Sequence, residues 1–258
     1  MAPATAPSRL PTVAEAAARI LEQGFVSLPG LMPPADRAAA GRVLDDLIDR
    51  GEAGDHPGFG YAIHPLLTRD RRLGRWIADP LLLEICSAVI GDEAVIVHSG
   101  SRVVDARHRI EGGRLPWHNH AATPALREIA PGDPRRGTRP KRLLFGWTFD
   151  GSDAETGALV IIPRRFDDPL APPSADRKAA WPGEVEVDQP PGTAGIFTLD
   201  LWHSAKWPVA GARRRRGMGC HVQGRNDPAP HPEDHVHAGP EIDAACAEFP
   251  ALARALRR

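Results

Sequence analysis

A series of short β-like runs, beginning near residue 94, constrains the fold more than any other feature of the sequence. Each run is rich in Val, Ile, Leu or Phe and lies between Gly, Pro and Asp residues. The runs are AVIVHSGSRVV, LLFGWTFD, GALVIIP, GEVEVDQ, GTAGIFTLDLWHS and RRRGMGCHVQGR. Short apolar or alternating runs bounded by turn residues predict strands. The 27 Pro and 25 Gly residues of the chain agree with many turns, so we predict an antiparallel sheet or barrel.

Helical patterns lie before and after this series. Thr12 can cap a first helix, whose apolar residues recur at helical spacing, and Gly24 ends it. The later helical segments are PPADRAAAGRVLDDLIDRG, DPLLLEICSAVIG and, near the end of the chain, EIDAACAEFPALARALRR. Helices followed by a run of strands predict an α+β fold that is mainly β.

No break in composition divides the chain, and its 258 residues are enough for one large domain. We therefore predict a single domain over residues 1–258. Its parts are a mostly helical region at 1–93, a β core at 94–225, and a C-terminal extension with a helix at 226–258.

Composition excludes several classes of partner. The formal net charge is −1, so neither nucleic acid nor a membrane surface is expected as a partner. No apolar run reaches the length that spans a bilayer, and the first residues lack a signal pattern. The cysteines Cys86, Cys220 and Cys246 have no CxxC spacing, which predicts a reduced, cytoplasmic protein. A small molecule is the expected partner, and the oligomeric state stays open.

Two histidines stand two residues apart in RLPWHNHAA, which spans residues 114–122. If this segment is extended, His118 and His120 project from one face, because side chains alternate along a strand. Two imidazoles so placed can hold adjacent positions around a metal ion, and a third ligand must come from elsewhere. His203, in FTLDLWHS, is the best candidate for that ligand. In the alternative interpretation, His118 and His120 are simply polar residues at a strand end.

Four consecutive arginines, Arg213 to Arg216, follow the third histidine. In a strand, alternate members of such a run face opposite sides, so two can point inward and two outward. A buried guanidinium binds a carboxylate through two parallel hydrogen bonds. Histidine ligands with an inward arginine therefore suggest a metal that chelates a cosubstrate with a carboxylate. Taken alone, the run is more typical of a solvated edge or a phosphate-contacting patch.

The order of these motifs resembles the phytanoyl-CoA dioxygenase (PhyH) family of Fe(II)- and 2-oxoglutarate-dependent oxygenases. That family has an opening helix, a GFVSLPGL-like strand, a Trp-His-x-Asp motif, a Gly-Ala-Leu strand and a second Trp-His with the distal ligand. The matching segments are 24–31, Trp117-His118, ETGALVIIPRRF (155–166) and GTAGIFTLDLWHS (192–204), within residues 13–225. The resemblance implies a double-stranded β-helix, a jelly-roll or cupin-like core.

The resemblance also implies a metal site and a reaction. His118 corresponds to the first iron ligand of the family and His203 to the distal one. The implied cofactors are Fe(II) and 2-oxoglutarate, with O2 as cosubstrate, and the implied reaction is hydroxylation, desaturation or ring closure of a small organic molecule. The predominance of Arg over Lys suggests a GC-rich coding sequence, and we expect a tailoring step in natural-product biosynthesis.

Further residues receive roles from the resemblance. Arg214 falls where the family's 2-oxoglutarate-binding arginine lies, and Arg213 or Arg215 takes that role if the register differs. Trp147, in LLFGWTFD, stands on a strand that usually lines the pocket. The candidates for substrate contacts are Arg102, Trp117 and Trp202.

The chain departs from the family pattern at His120, where the family has the Asp of a two-histidine, one-carboxylate triad. A neutral imidazole leaves more positive charge at the metal and favours Fe(II) over Fe(III). His120 either binds the metal as a third histidine or turns away, and it is too large to leave room for halide. The alternative functions are a three-histidine dioxygenase without 2-oxoglutarate, a metal-dependent isomerase or cyclase, and a catalytically silent binding protein.

Two irregular stretches lie outside the predicted strands. PGDPRRGTRP (131–140) is a polar loop of a length that is often functional or disordered. HPEDHVH (231–237) has three more histidines. Because it lies in Pro-rich sequence, we interpret it as surface or a lid rather than as a metal centre.

Overall fold

Two antiparallel sheets form the centre of the protein. The computed structural model describes residues 9–108, 113–120, 139–168, 171–227, 231 and 234–256. The strands of these residues are β1 (Phe25–Leu28), β2 (Gly54–His56), β3 (Gly60–Ile63), β4 (Ala94–Val104), β5 (Arg142–Thr148), β6 (Leu159–Ile161), β7 (Val185–Val187), β8 (Thr193–Thr198), β9 (His203–Ala205) and β10 (Arg215–Gly224). The larger sheet has the order β1-β8-β5-β10-β4-β3-β2, and the smaller has the order β7-β6-β9.

Helices precede the first long strand and follow the last. They are α1 (Val13–Gln23), α2 (Pro34–Asp49), α3 (Gly74–Ile77), α4 (Pro80–Ile90), α5 (Pro240–Glu248) and α6 (Pro250–Ala255). This arrangement confirms the predicted α+β class with a mainly β core. None of the helices in the described residues combines the length and apolar character that crossing a membrane requires.

Helix α1 begins and ends where its sequence predicts. The Thr12 hydroxyl accepts a hydrogen bond from the Glu15 amide at 3.2 Å, and the Glu15 carboxylate accepts one from the Thr12 amide at 2.7 Å. These reciprocal bonds satisfy amides that have no partner within the helix. Gly24 ends the helix with a φ of 82°, a left-handed conformation that glycine adopts without steric cost.

The C-terminal helix predicted over 241–258 is wrong as a single element. The structure has two helices there, α5 and α6, and Phe249 between them has φ −122° and ψ 87°, outside the helical region. Pro250 causes the break, because its ring provides no amide hydrogen and disfavours a helical conformation at the preceding residue.

Two other parts of the chain differ in detail from the predicted elements. GTAGIFTLDLWHS forms two strands, β8 and β9, that belong to different sheets. The region at 1–93 contains β2 and β3, whose sequences GDH and GYAI are only three and four residues long, too short to give a strand signal.

The larger sheet presents one face to the helices and the other to a cavity. On β5, Leu143 and Phe145 are buried in the main apolar core with residues of α1, α2 and α4. Leu144, Gly146 and Thr148 alternate with them and line the cavity. This alternation is the normal period of a strand, and it separates the stabilising face of the sheet from the face that holds the site.

A row of glycines forms the floor of this cavity. Gly195 of β8 pairs with Gly146 of β5, Gly146 pairs with Gly219 of β10, and Gly219 pairs with Gly100 of β4. All four line the cavity, which has a volume of about 550 Å³ and is closed on its other side by residues of β6 and β9. Because glycine has no side chain, the row leaves open space where inward side chains of a sheet would meet.

Candidate functional site

Backbone pairing brings His118 and His203 together. The His118 amide donates to the His203 carbonyl oxygen at 3.0 Å, and the His203 amide donates to the His118 carbonyl oxygen at 2.9 Å. Residues that exchange both hydrogen bonds in an antiparallel pair project their side chains to the same side. Two residues on, the His120 amide donates to the Leu199 carbonyl oxygen at 2.7 Å, so the backbone fixes all three histidines.

The three histidines form what we call the first cluster. One ring nitrogen from each of His118, His120 and His203 lies within 4.8 Å of the others. The ring centroids are 4.2 Å apart for His118 and His203, 5.2 Å for His120 and His203, and 5.4 Å for His118 and His120. Nitrogens at these separations can converge on one ion with metal–nitrogen bonds of about 2 Å.

Backbone carbonyls set the tautomer of two of these rings. Nδ1 of His118 lies 2.8 Å from the Pro116 carbonyl oxygen, and Nδ1 of His203 lies 3.0 Å from the Leu201 carbonyl oxygen. A carbonyl oxygen only accepts, so in each ring Nδ1 carries the proton and Nε2 keeps the lone pair. Both rings therefore present Nε2 as a metal ligand, with the outer hydrogen bond that ligating histidines normally make.

The rings of the first cluster are neutral at physiological pH. Burial lowers the pKa of His118 to about 4 and that of His120 to about 4, from an ordinary value of 6.5. Burial also places the pKa of His203 well below its ordinary value, and the other two histidines lower it further. Metal binding requires neutral imidazole, so these residues need not lose protons to bind an ion.

Tryptophans pack behind the first cluster. Trp117 and Trp202 each precede a histidine of the first cluster, and their side chains point away from it. The Trp117 ring stacks on Trp181 at 4.7 Å, and the Trp202 ring meets Trp181 edge-on at 5.6 Å. With Val160, these three tryptophans form an apolar cluster of their own, and none of the four is among the cavity-lining residues. The structure thus places the substrate candidates Trp117 and Trp202 behind the site, where they support its backbone.

The four arginines of the 213–216 run have different surroundings. Arg213 pairs with Asp153 and Glu155, and Arg214 pairs with Asp45, at 2.7–2.8 Å. Neither Arg213 nor Arg214 lines the cavity. The guanidinium of Arg214, the residue that the sequence predicts to bind the carboxylate, faces Asp45 at the rim of the sheet.

Arg216 and Arg215 both reach the cavity wall, but only Arg215 lacks a carboxylate partner there. Arg216 donates to Asp150 and Asp45 at 2.7 Å. Arg215 donates to the Gly157 carbonyl oxygen and forms no ion pair within the described residues. Burial lowers the pKa of Arg215 to about 10, so its charge is destabilised yet retained at neutral pH.

Arg102 of β4 is a second cation on the cavity wall. Its Nε donates to the Phe59 carbonyl oxygen at 2.6 Å, and its guanidinium lies 4.2 Å from the centre of the Phe59 ring. Its Nη2 is buried without a hydrogen-bond partner in the described part of the chain. Burial, and then the charge of Arg215, lower the pKa of Arg102 to about 9. Two cations without counter-ions are costly to bury and favour an anionic ligand.

Trp147 lies at the boundary between the core and the cavity. It is among the cavity-lining residues, but its side chain is 4% exposed and belongs to the main apolar core. Its indole nitrogen donates to the Trp76 carbonyl oxygen at 3.0 Å. The predicted role of Trp147 in binding the cosubstrate has no further support from this position.

Histidines that sequence reasoning did not select also line the cavity: His64, His98 and His221. The sequence does contain a signal for His98 and His221, because side chains that point inward alternate with side chains that point outward along β4 and β10. The inward positions read His98, Gly100 and Arg102 on β4, and Arg215, Gly217, Gly219 and His221 on β10. These two patterns face each other in antiparallel register.

The stretch at 231–237 is also corrected where the structure describes it. His237 is 3% exposed, so the interpretation of this stretch as surface is wrong for that residue. His235 is half-buried, and its ring lies 4.0 Å from that of His98. Residues 131–138 of the predicted loop at 131–140 lie outside the described residues.

Comparison with known proteins identifies similar folds but no related sequence. No protein-family model matches the chain, and no curated protein matches it. Among solved structures, the non-heme alpha ketoglutarate dependent epimerase SnoN from nogalamycin biosynthesis was solved with Fe3+, alpha ketoglutarate and nogalamycin RO. SnoN has a TM-score of 0.64 at 15% identity, and the match covers 83% of this chain and 84% of the SnoN chain.

Two further structures have similar scores. EctD from S. alaskensis, with 2-oxoglutarate and 5-hydroxyectoine, has a TM-score of 0.65 at 18% identity and covers 93% of this chain and 86% of its own. AviO1 from Streptomyces viridochromogenes Tue57 has a TM-score of 0.62 at 20% identity and covers 88% of this chain and 100% of its own. At such identities the likeness establishes the fold, and it confirms the predicted double-stranded β-helix, a jelly-roll, cupin-like core.

Proposed function

We propose that this protein is an oxygenase that uses Fe(II), 2-oxoglutarate and O2 to oxidise a small organic molecule. One observation carries the proposal: a single cavity combines three neutral imidazoles with two guanidiniums that have no carboxylate partner among the described residues. The resemblance to the phytanoyl-CoA dioxygenase family supports it. Structural neighbours solved with Fe or with 2-oxoglutarate support it as well.

The first cluster fits iron by the chemistry of its donors. Imidazole nitrogen is a good ligand for first-row divalent ions, iron included. Three neutral ligands leave the double positive charge of Fe(II) uncompensated, whereas the family's Asp cancels one unit. This greater charge strengthens the attraction for an anionic cosubstrate. We infer that His120 serves as the third ligand and that the altered charge does not mark lost activity.

The two guanidiniums fit the two carboxylates of 2-oxoglutarate. Arg102 is paired in register with Gly217, two residues from Arg215 on the same face. After the dominant effect of burial, the charge of Arg102 contributes to the lowered pKa of His118 and His203. By the strand register, Arg102 is one inward position closer than Arg215 to His221, whose ring lies 5.4 Å from that of His120. We assign the remote carboxylate of 2-oxoglutarate to Arg215, and we place Arg102 beside the carboxylate closer to the metal.

The residues of the cavity hold and orient the reactants. When bound, iron with 2-oxoglutarate supplies the oxidation of a C–H bond by O2. The carbonyls of Pro116 and Leu201 keep the Nε2 atoms of two ligands directed inward. The cavity of about 550 Å³ falls within the usual range for small-molecule sites. Natural-product tailoring and a cytoplasmic location remain predictions for this chain.

The test compares two neighbouring arginines. The metal-free protein is mixed with Fe(II) and 2-oxoglutarate without O2, and binding is followed by the visible absorption of the chelate. Replacing Arg215 by Gln (Arg215→Gln) is expected to weaken 2-oxoglutarate binding at least tenfold, since loss of a buried charge partner costs roughly 2–5 kcal/mol. Arg214→Gln is the matched control and is expected to bind normally. Equal losses in both variants would contradict the assignment.

A change at His120 distinguishes the proposed oxygenase from a three-histidine enzyme that does not use 2-oxoglutarate. His120→Asp restores the family pattern, and we expect it to keep both iron and 2-oxoglutarate binding. If iron binds the native protein but 2-oxoglutarate binds only the Asp variant, the native protein is a three-histidine enzyme that does not use this cosubstrate. If His118→Ala and His203→Ala leave the metal content unchanged, the first cluster is not a metal site.

A further inference from the structure

Three other histidines meet beside the cavity, and two of them, His64 and His98, line it. One ring nitrogen from each of His64, His98 and His235 lies within 4.8 Å of the others. The ring centroids are 4.0 Å apart for His98 and His235, 5.2 Å for His64 and His98, and 6.3 Å for His64 and His235. We call these residues the second cluster. None of them is a ligand in the proposed oxygenase site.

Three separate segments of the chain deliver these side chains. His98 points inward from β4, two residues before Gly100. The His64 ring lies directly on Gly100, where a Cβ atom would come within 2.2 Å of the ring. The His235 amide donates to the Val97 carbonyl oxygen at 2.7 Å. Both flanking histidines are thus fitted to the strand that bears His98.

A buried histidine beside the cluster adds an independent observation. The side chain of His237 is 3% exposed, and neither of its ring nitrogens has a hydrogen-bond partner in the described part of the chain. Its ring lies 6.1 Å from that of His235. Buried polar atoms nearly always have a partner, and one without a partner calls for a ligand, water or ion. An ion at the second cluster, with the water it carries, provides such a partner.

We propose that His64, His98 and His235 form a second metal site, which takes a first-row divalent ion of the kind that imidazole favours, such as Zn(II). A three-histidine donor set suits this class of ion. Bound there, the ion joins the segment at 234–237 to β4 and to the loop that carries His64. The two clusters are connected through His221, whose ring lies 4.5 Å from His98 and 5.4 Å from His120.

Metal binding has a specific cost at His235. The Ser99 amide donates to Nδ1 of His235 at 3.2 Å, so this nitrogen holds the lone pair and Nε2 carries the proton. An ion that binds through Nδ1 displaces the Ser99 amide. An ion that binds through Nε2 requires a proton at Nδ1, which also breaks the bond. Release of the Ser99 amide is therefore a signature of occupancy at this cluster.

The experiment counts zinc ions in matched variants. Metal-free protein is dialysed against Zn(II), and bound zinc is measured by mass spectrometry. We expect two equivalents in the native protein and one in His64→Ala and in His98→Ala. His56→Ala, which removes an exposed imidazole outside both clusters, is expected to keep two. His64 is exposed, so its removal should leave the fold intact, and circular dichroism of each metal-free variant checks this.

Each outcome decides the proposal. In His118→Ala, one equivalent should remain, and its addition should shift the Ser99 amide signal in a nitrogen–proton NMR spectrum. If the native protein binds one equivalent and His118→Ala binds none, the second site does not exist, and the proposed oxygenase site is unaffected. Two equivalents that persist in His64→Ala and His98→Ala also overturn the proposal. If zinc binds at the second cluster but 2-oxoglutarate does not bind the protein, the proposed function is overturned and the second site is not.

Discussion

The first and second clusters have similar spacing, but the backbone holds their rings in opposite ways. In the first cluster, carbonyl oxygens accept from Nδ1 of His118 and His203, which leaves Nε2 free to bind an ion. In the second, an amide donates to Nδ1 of His235 and competes for its lone pair. The first cluster rests on paired backbone, whereas His64 of the second lies on an exposed loop.

This difference shows that spacing alone does not define a metal site. The group that contacts the outer nitrogen decides which nitrogen keeps its lone pair. A carbonyl prepares a histidine for metal binding before the ion arrives, while an amide must first be displaced. We therefore expect the first cluster to be the preformed site and the second to be assembled by its ion.

Acid is expected to have the largest effect, because it protonates buried or half-buried rings in both clusters. These rings are His118 and His120 in the first cluster and His235 in the second. The pKa of His118 and His120 is lowered from 6.5 to about 4 in the folded protein. Between these values the unfolded chain binds protons that the folded chain does not, so stability falls as pH falls from 6.5 towards 4. Each pKa unit of such a shift is worth about 1.4 kcal/mol per group. Thermal melting of metal-free protein against pH measures this, and a constant Tm from pH 6.5 to 5 would contradict it.

Loss of Trp181 is expected to affect only one cluster. Trp181→Ala removes the ring that packs on Trp117 and Trp202, and such a change in a core costs roughly 3–5 kcal/mol. We also expect weaker metal binding at the first cluster, because the two paired backbone segments that bear His118 and His203 lose the ring that packs behind them. Binding at the second cluster should be unchanged. Denaturant unfolding and zinc titration measure the two effects, with Trp76→Ala as the control for loss of another tryptophan.

The two clusters are expected to differ in affinity. His64→Ala leaves the first cluster alone, and His203→Ala leaves the second alone. Because outer hydrogen bonds commonly change metal affinity about 10–100-fold, we expect the first cluster to bind Zn(II) more tightly by roughly that factor. Competition with a chelator of known affinity measures both constants. Equal constants would show that the tautomer set by the backbone has no effect here.

The smallest effects are expected from single methyl groups on the cavity floor. A Cβ at Gly100 would press on the His64 ring, whereas a Cβ at Gly195 would meet only the Nε2 of Gln189, at 2.9 Å. Gly100→Ala should therefore weaken the second cluster modestly and spare the first. Gly195→Ala should leave metal binding at both clusters unchanged. A loss of binding at the first cluster in Gly100→Ala would show that the clusters are not independent.

The sequence predicted elements and residues wherever the signal was local. The predicted run AVIVHSGSRVV has the bounds of β4, because it has β-branched apolar residues near both ends and lies between turn residues. The sequence indicates His118 and His120 because they stand two residues apart, on one face of an extended segment. It indicates His203 because this residue belongs to a second Trp-His pair. The choice between Arg214 and Arg215 was beyond this reasoning, since a slip of one residue exchanges the two faces of a strand.

The second cluster was not predictable from sequence for a different reason. His64, His98 and His235 come from three segments with no motif in common, and only the folded sheet brings them together. Likewise, the sequence contains no periodic signal for β2 and β3, because these strands are only three and four residues long. Pro250 was visible in the sequence, but the apolar residues on both sides of it suggested one continuous helix.

The glycine row on the cavity floor has a consequence for how this fold can change over time. In the unfolded chain a glycine samples more backbone conformations than alanine, so holding one in a strand costs roughly 0.5–1 kcal/mol more. At Gly195, where an added methyl group would meet only the flexible end of Gln189, alanine would make the protein harder to unfold and would shrink the cavity by the same step. Adaptation to heat and adaptation to smaller substrates would thus select the same replacement, and related proteins that accept bulky substrates should keep this glycine at the expense of heat resistance.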